Sequence, residues 1–415
     1  MTDTIGGDSR PSRETRGQYF PELQGIRALA VLAVITVHSA FAAGQLGYAD
    51  QPGNGWVAVV IERFTRESLP ILFALSGFLL YLPFARKTIE GIPQRYNLGS
   101  YAWRRALRIF PAFWLLALVA LFTPLFLMAG QEQASYGFWY IVRVLTMQHV
   151  YVAGGIPSGM ESTWSMATEI AFYILLPVFA WLFHRLAAGA ATPQAKARRM
   201  MVPIFAIVLI GYAFSAWSHH PSLGQPPVQG NWPIGWFGYL AIGMALATLS
   251  AAAQSGGWLA PYRLIARHPG RTWLVALGVI ILYCFSPMGD QGTSNFPYTE
   301  IVLFDQPIDL LIVFLLLAPL TVPDLRSRFL TGVLTVRPLQ YIGRVSYAMF
   351  LWHIPAIYIW NLWEPTNFGL TLLLVHGTAF VAALISYYAV EKPALRLRNK
   401  LGKGSAEPST PVLVR

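Results

Sequence analysis

The sequence predicts an all-α, polytopic membrane protein of about ten transmembrane helices, with the N- and C-termini cytoplasmic. Three observations carry that prediction. Hydrophobic residues make up 55% of the 415-residue chain and charged residues only 12%, about half the charged share of a soluble domain. Mean hydropathy is accordingly positive, at +0.48. Apolar windows long enough to cross a bilayer recur ten times along the chain, and basic residues fall on alternate loops between them.

In chain order, residues 1–25 are polar and rich in Gly, Ser and Arg. They read as a cytoplasmic tail, because a secretory signal would bring its apolar core much earlier. The spans then fall near 26–43, 68–85, 109–129, 164–184, 201–218, 233–252, 272–288, 303–321, 341–361 and 369–390. Tyr136 to Val152 is apolar but heavily aromatic and broken by Arg143, which reads as an interfacial or re-entrant segment. With a cytoplasmic N-terminus, the even-numbered loops should be basic. They hold Arg86, Lys87, Arg95, Arg104 and Arg105, then Arg185, Lys196, Arg198 and Arg199, then Arg263, Arg267 and Arg271, then Arg326, Arg328 and Arg337. Arg63, Arg66 and Arg143 fall on the opposite side. One miscounted span would invert every later loop, so the pattern supports both the count and the orientation. Residues 26–393 thus form one membrane-embedded domain, and 394–415 a basic cytoplasmic tail.

The net charge of +11 therefore marks a membrane face and not a nucleic-acid surface. A single cysteine, Cys284, excludes a disulfide framework within the chain and a Cys-based metal site. The pair His219-His220 in a polar loop is weak as a metal signal, and no metal is expected. No internal repeat of the kind found in secondary transporters is visible.

The residues that bear chemistry sit inside the spans. The stretch Gln24 to Ser39 is apolar except for Arg27 near its start and His38 near its end. Eleven positions on a helix return to nearly the same face, about 16 Å along the axis. Ionisable groups inside a span usually face a protein interior or a water-filled cavity. Counted by depth, Glu169 and His353 reach the same outer half as His38, as a shared intramembrane site would require. Interhelical hydrogen bonds are the plainer alternative. Arg104, Arg105 and Arg108 precede Pro111 in WRRALRIFPAFW; such a cluster suits phosphate groups or simply sets topology beside anionic lipid. Ser76-Gly77 offers close helix approach. Asp305 and Asp309 bracket Pro307, lining an acceptor cleft or sitting at the interface.

From about Tyr19 to Pro393 the chain resembles the acyltransferase-3 family of integral-membrane acyltransferases, which acylate O-antigens, nodulation factors and macrolides. The most specific element is Arg-x10-His, met by Arg27 and His38. Around it stand Ser76-Gly77-Phe78, the Arg-rich RRALRIFP, and WS-x3-E-x2-FY with Trp164, Ser165, Glu169, Phe172 and Tyr173. GRVSYAMFLWH ending at His353, and Glu391-Lys392-Pro393, complete the series. One departure is Gln24, where the family usually has Asp, so an acid that orients Arg27 is missing. The extracytoplasmic hydrolase-like domain fused to some members has no counterpart in this sequence.

The resemblance implies transfer of an acyl group, by default acetyl, from cytoplasmic acyl-CoA to a hydroxyl on a carbohydrate, glycolipid or macrolide, in the plasma membrane of a bacterium. No bound cofactor is implied; acyl-CoA is a co-substrate. In this frame His38 is the general base, or a transient acyl carrier. Glu169 orients that imidazole or meets the acceptor hydroxyl. Arg27 stabilises negative charge on the thioester side or in the tetrahedral intermediate. Arg104, Arg105 and Arg108 hold the CoA phosphates. His353, Tyr173, Trp164 and Ser165 are candidates for the acceptor site. Buried Arg, His and Glu would also suit a proton-coupled transporter or a lipid flippase. The missing repeat and the ordered motifs count against that class.

Overall fold

A computed structural model of the chain describes residues 20–46, 55–94, 97–122, 137–223, 228–285, 299–323, 325, 327–361 and 367–397. Most of the two expected tails, and the last residues of the third and seventh expected spans, lie outside the described residues. Every regular element among the described residues is helical. In chain order these are α1 (Pro21–Ala42), α2 (Gly55–Thr65), α3 (Ser68–Glu90), α4 (Leu98–Phe122), α5 (Phe138–Leu145), α6 (Trp164–Ala187), α7 (Pro193–Ser218), α8 (Pro233–Gln254), α9 (Ala260–Arg267), α10 (Pro269–Cys284), α11 (Thr299–Thr321), α12 (Arg328–Leu334), α13 (Arg337–Asn361) and α14 (Phe368–Ser386). A π-helical turn at Tyr387–Glu391 then leads into α15 (Lys392–Leu397).

Each of the ten expected spans corresponds to a helix. Among the described residues, eight helical segments are long and apolar enough to cross a membrane, which makes this a multi-pass membrane protein. Of the remaining two, α10 is apolar but only 16 residues long. The other, α13, is 25 residues long but carries Arg337, Gln340 and Arg344 in its first half. The short helices α2, α9 and α12 were not expected. The segment expected to be interfacial holds α5, eight residues long and too short to cross. It packs on α4, where Trp114 Nε1 donates to the carbonyl of Leu145 at 3.0 Å, and its Phe138 and Trp139 are exposed.

Several helices begin earlier than hydropathy suggests, and caps explain why. Thr192 accepts from the N–H of Ala195 at 3.1 Å, with Pro193 in the first turn, a strong start signal. Asn97 accepts from the N–H of Ser100 at 2.9 Å, so α4 starts at Leu98 and the arginine-rich WRRALRIF is helical. Likewise α1 begins at Pro21, so the end of the expected tail belongs to the first span.

Close approaches of small residues hold the bundle together. A Cβ on Gly77 of α3 would collide with the backbone of Leu240 in α8, and one on Gly243 of α8 with the backbone of Ala74 in α3. A large core formed chiefly by α3, α6, α7, α8 and α11 grows from that crossing. A second core lies between α1, α13 and α14, and a third links α4, α6 and α13. The functional residues sit where α1, α3, α4, α6 and α13 converge. Gln24 is buried and its Nε2 donates to the carbonyl of Gln340 at 3.1 Å. The residue that departs from the family pattern therefore ties α1 to α13 and does not bond Arg27.

Candidate active site on the first helix

Two groups of side chains occupy one face of α1. The charged group gathers around Glu169. Ser76 Oγ donates to Glu169 Oε1 and Tyr173 OH to Glu169 Oε2, each at 3.0 Å. Tyr101 OH donates to the carbonyl of Tyr173 at 3.0 Å. The Arg105 guanidinium lies over the rings of Tyr101 and Tyr173, 5.6 and 5.8 Å from their centroids, a favourable cation–π arrangement. Arg108 lies 5.9 Å from the ring centroid of Tyr347, and Tyr347 OH donates to the carbonyl of Ile109 at 2.8 Å. Residues 101, 105 and 108 share a helix face by their spacing; Arg104 is turned about 100° from Arg105 and about 40° from Arg108.

Arg27 lies within electrostatic reach of Arg108, Glu169 and Tyr173. It forms no hydrogen bond or ion pair with any other described side chain, and it is only partly covered. Glu391, brought beside Arg108 by the π-helical turn, is buried with Oε1 unbonded. Three guanidinium groups thus face two carboxylates, and Glu169 already accepts a bond on each oxygen. A positive surplus held open in this way fits a phosphate-bearing or otherwise anionic ligand.

The second group is a pair of histidines. His353 Nε2 lies 3.2 Å from His38 Nδ1, and the ring centroids are 5.0 Å apart. His38 Nδ1 also lies 3.0 Å from the carbonyl of Val34, and His353 Nδ1 lies 2.6 Å from the carbonyl of Phe350. His353 is fully buried, whereas His38 keeps some access. No described side chain bonds His38 Nε2.

The expected shared site is therefore divided. His38 and His353 meet, but Glu169 belongs with Arg27 and does not bond the imidazole. Along α13, Tyr347 and His353 are six residues or about 9 Å apart, which measures the step from one group to the other. Trp164 packs against Trp236, with centroids 4.5 Å apart, and against Phe73. Ser165 is buried, its hydroxyl donating to the carbonyl of Ser162 at 2.9 Å. Asp305 and Asp309 do not stand open as a cleft lining: both are buried and paired with Arg66. His219 Nδ1 is 2.8 Å from the carbonyl of Ser215 and His220 Nδ1 2.8 Å from Ser222 Oγ. Among the described residues no group of three His, Cys, Asp or Glu could hold a metal. Sequence reading missed Tyr101 and Tyr347 and gave Ser76 only a packing role. Tyr101 one helical turn from Arg105, Tyr347 inside GRVSYAMFLWH and Ser76 beside Gly77 were the available signals.

A membrane-embedded site with a histidine at one level and surplus arginine at another defines a class of group-transfer or transport protein. Comparison with known proteins resolves it: the chain belongs to the acyltransferase-3 family, whose acyltransferase domain matches residues 20–390. It is 26% identical over 396 residues to the putative peptidoglycan O-acetyltransferase YrhL of Bacillus subtilis, covering 91% of this chain and 55% of that protein. Against the peptidoglycan O-acetyltransferase OatA of Listeria monocytogenes it is 25% identical over 405 residues, covering 92% and 57%. Against the O-acetyltransferase OatA of Staphylococcus aureus it is 24% identical over 396 residues, covering 91% and 57%. The chain thus spans little more than half the length of these relatives. No solved structure matches it.

Proposed function

We propose that the protein is a membrane O-acetyltransferase that moves an acetyl group from cytoplasmic acetyl-CoA to a hydroxyl of a cell-envelope carbohydrate. The observation that supports this best is the division of the site along α1. Arg27, Arg105 and Arg108 form a cationic group suited to the CoA phosphates, with a histidine further along α1 and within reach of a pantetheine arm. The family match supplies acyl transfer, and the relatives' names point to a glycan as acceptor. Both termini would be cytoplasmic, as the basic loops suggest.

In this reading the acceptor hydroxyl attacks the thioester carbonyl while His38 Nε2 removes its proton. The tetrahedral intermediate collapses with cleavage of the C–S bond, and the imidazolium returns the proton to the departing CoA thiolate. The products are the acetyl ester and free CoA. Arg27 serves the donor side, since it lies with Glu169 and Arg108 and not beside the imidazole. Glu169, tethered by Ser76 and Tyr173, acts as its counter-charge.

The test is transfer of labelled acetyl from acetyl-CoA by reconstituted protein to peptidoglycan fragments and other glycans, read by mass spectrometry. His38→Ala should abolish the acetylated product. Arg105→Ala and Arg108→Ala should each raise KM for acetyl-CoA about tenfold with a smaller change in kcat. Proton-coupled flux without a new covalent product would overturn the proposal.

A further inference from the structure

We infer that His353 is a positioning residue for His38: its neutral ring accepts a hydrogen bond from His38 Nδ1–H and so presents His38 Nε2 unprotonated as the base. This rests on the acyl-transfer reading of the site. It gives His353 a role different from the acceptor contact implied by the family motif.

A backbone carbonyl only accepts, so Phe350 requires a proton on His353 Nδ1, 2.6 Å away. A neutral His353 then has a lone pair, and no hydrogen, on Nε2. That lone pair faces His38 Nδ1 at 3.2 Å, and the same Nδ1 faces the Val34 carbonyl at 3.0 Å. Both neighbours of His38 Nδ1 are acceptors, so that nitrogen carries the ring proton and Nε2 does not. Protonating His353 would set two N–H groups against each other. The chain of donors runs from His38 to His353 to the Phe350 carbonyl, in one direction only.

The arrangement has a catalytic consequence. When His38 Nε2 takes the acceptor's proton, the ring becomes an imidazolium whose Nδ1–H is already bonded to His353. An oriented acceptor on the far nitrogen is what the aspartate supplies in a serine-hydrolase triad. Here it is a neutral imidazole, which avoids placing a second charge in a fully buried position where an unpaired carboxylate would be costly.

Two measurements test the inference. The first needs no substrate: nitrogen NMR of 15N-histidine-labelled protein in lipid, with resonances assigned by His38→Ala and His353→Gln. The expected result is a protonated Nδ1 and bare Nε2 on His38, with a nitrogen–nitrogen coupling to His353 Nε2 across the hydrogen bond. A proton on His38 Nε2, or no coupling, overturns the inference whether or not the acyl-transfer reading stands. The second is kinetic. His353→Leu should lower kcat about 100-fold or more, with the acceptor KM within about twofold and the melting temperature unchanged. His353→Gln, whose amide oxygen can accept from Nδ1–H, should recover most of the rate. A raised acceptor KM at unchanged kcat, or no recovery with Gln in a folded protein, would overturn it. Acetyl transfer surviving His38→Ala would show that His38 is not the base and overturn the inference. Proton-coupled flux without a covalent product would instead defeat the acyl-transfer reading and leave the hydrogen bond to the NMR result.

Discussion

The protein builds two arginine–carboxylate clusters from the same side chains, with opposite balance. In one, where α2 ends and α3 begins, Arg66 Nη2 lies 2.9 Å from Asp305 Oδ2 and Arg66 Nε donates to Asp309 Oδ2 at 3.2 Å. Tyr239 OH donates to the same Asp309 oxygen at 3.3 Å, and the guanidinium lies 5.9 Å from the Tyr283 ring centroid. Glu67 is buried beside them. A single cation therefore answers three acids. In the other, Arg27, Arg105 and Arg108 gather near Glu169 and Glu391, and Arg27 bonds no other described side chain. Buried charge persists only where it is compensated. The first cluster closes on itself, its acids outnumbering the one arginine they hold, and it joins the α2–α3 turn to α8, α10 and α11. The second holds more guanidinium groups than described carboxylates, as the anionic donor proposed for it would require.

The largest expected effect tests the closed cluster. Arg66→Ala strands buried carboxylates, which should cost about 3–5 kcal/mol and lower the melting temperature of the detergent-solubilised protein sharply. Adding Asp305→Asn and Asp309→Asn should restore part of the loss. Arg27→Ala is the counterpart: melting should hold, while acetyl transfer falls about 100-fold. The contrast breaks if Arg27→Ala unfolds the protein, or if Arg66→Ala leaves stability unchanged while abolishing transfer.

A pH titration sharpens the contrast further. Burial, with the Asp309 carboxyl nearby, pushes Glu67 well above the usual carboxylate range, so the folded chain keeps this proton where the unfolded chain has lost it. The native state then binds more protons than the unfolded one. Stability from this group is complete below the ordinary carboxylate range and falls as pH rises above it, by at most about 1.4 kcal/mol per pH unit. Glu67→Gln should flatten that part of the melting curve; an unchanged slope would show that another group sets it.

Much of this was legible in the sequence. Ten apolar windows and the Arg27–His38 spacing locate the helices and the face of α1, because lipid imposes long apolar runs and 3.6-residue periodicity fixes direction. Depth along the membrane was read correctly enough to bring His38 and His353 together. It failed for Glu169, because depth says nothing about azimuth: a residue at a matching level meets whichever neighbour its helix face presents, here Ser76 and Arg27. The inward-facing acids Asp305 and Asp309 were ambiguous for the same reason, since their partner Arg66 stands about 240 residues away in sequence. Helices α2, α9 and α12 escaped a window tuned to whole spans. Glu391 was visible only as part of a motif, because its approach to Arg108 depends on the π-helical turn, which hydropathy does not encode.

The smallest effect concerns how the open cluster keeps its one fully bonded carboxylate in place. Tyr173 contributes twice, its hydroxyl to Glu169 Oε2 and its ring to Arg105. Tyr173→Phe removes only the first. The lost bond should weaken the tether by about 1 kcal/mol, slowing transfer severalfold while the ring contact, and with it donor KM, is kept. Tyr173→Leu removes both and should raise donor KM as well. If Phe and Leu behave alike in KM, the ring adds nothing to holding Arg105, and the cationic group is organised by Glu169 alone. If Phe is indistinguishable from wild type, Ser76 suffices as the tether, and the open cluster tolerates a looser carboxylate than the closed one, where each remaining partner of Arg66 is itself buried.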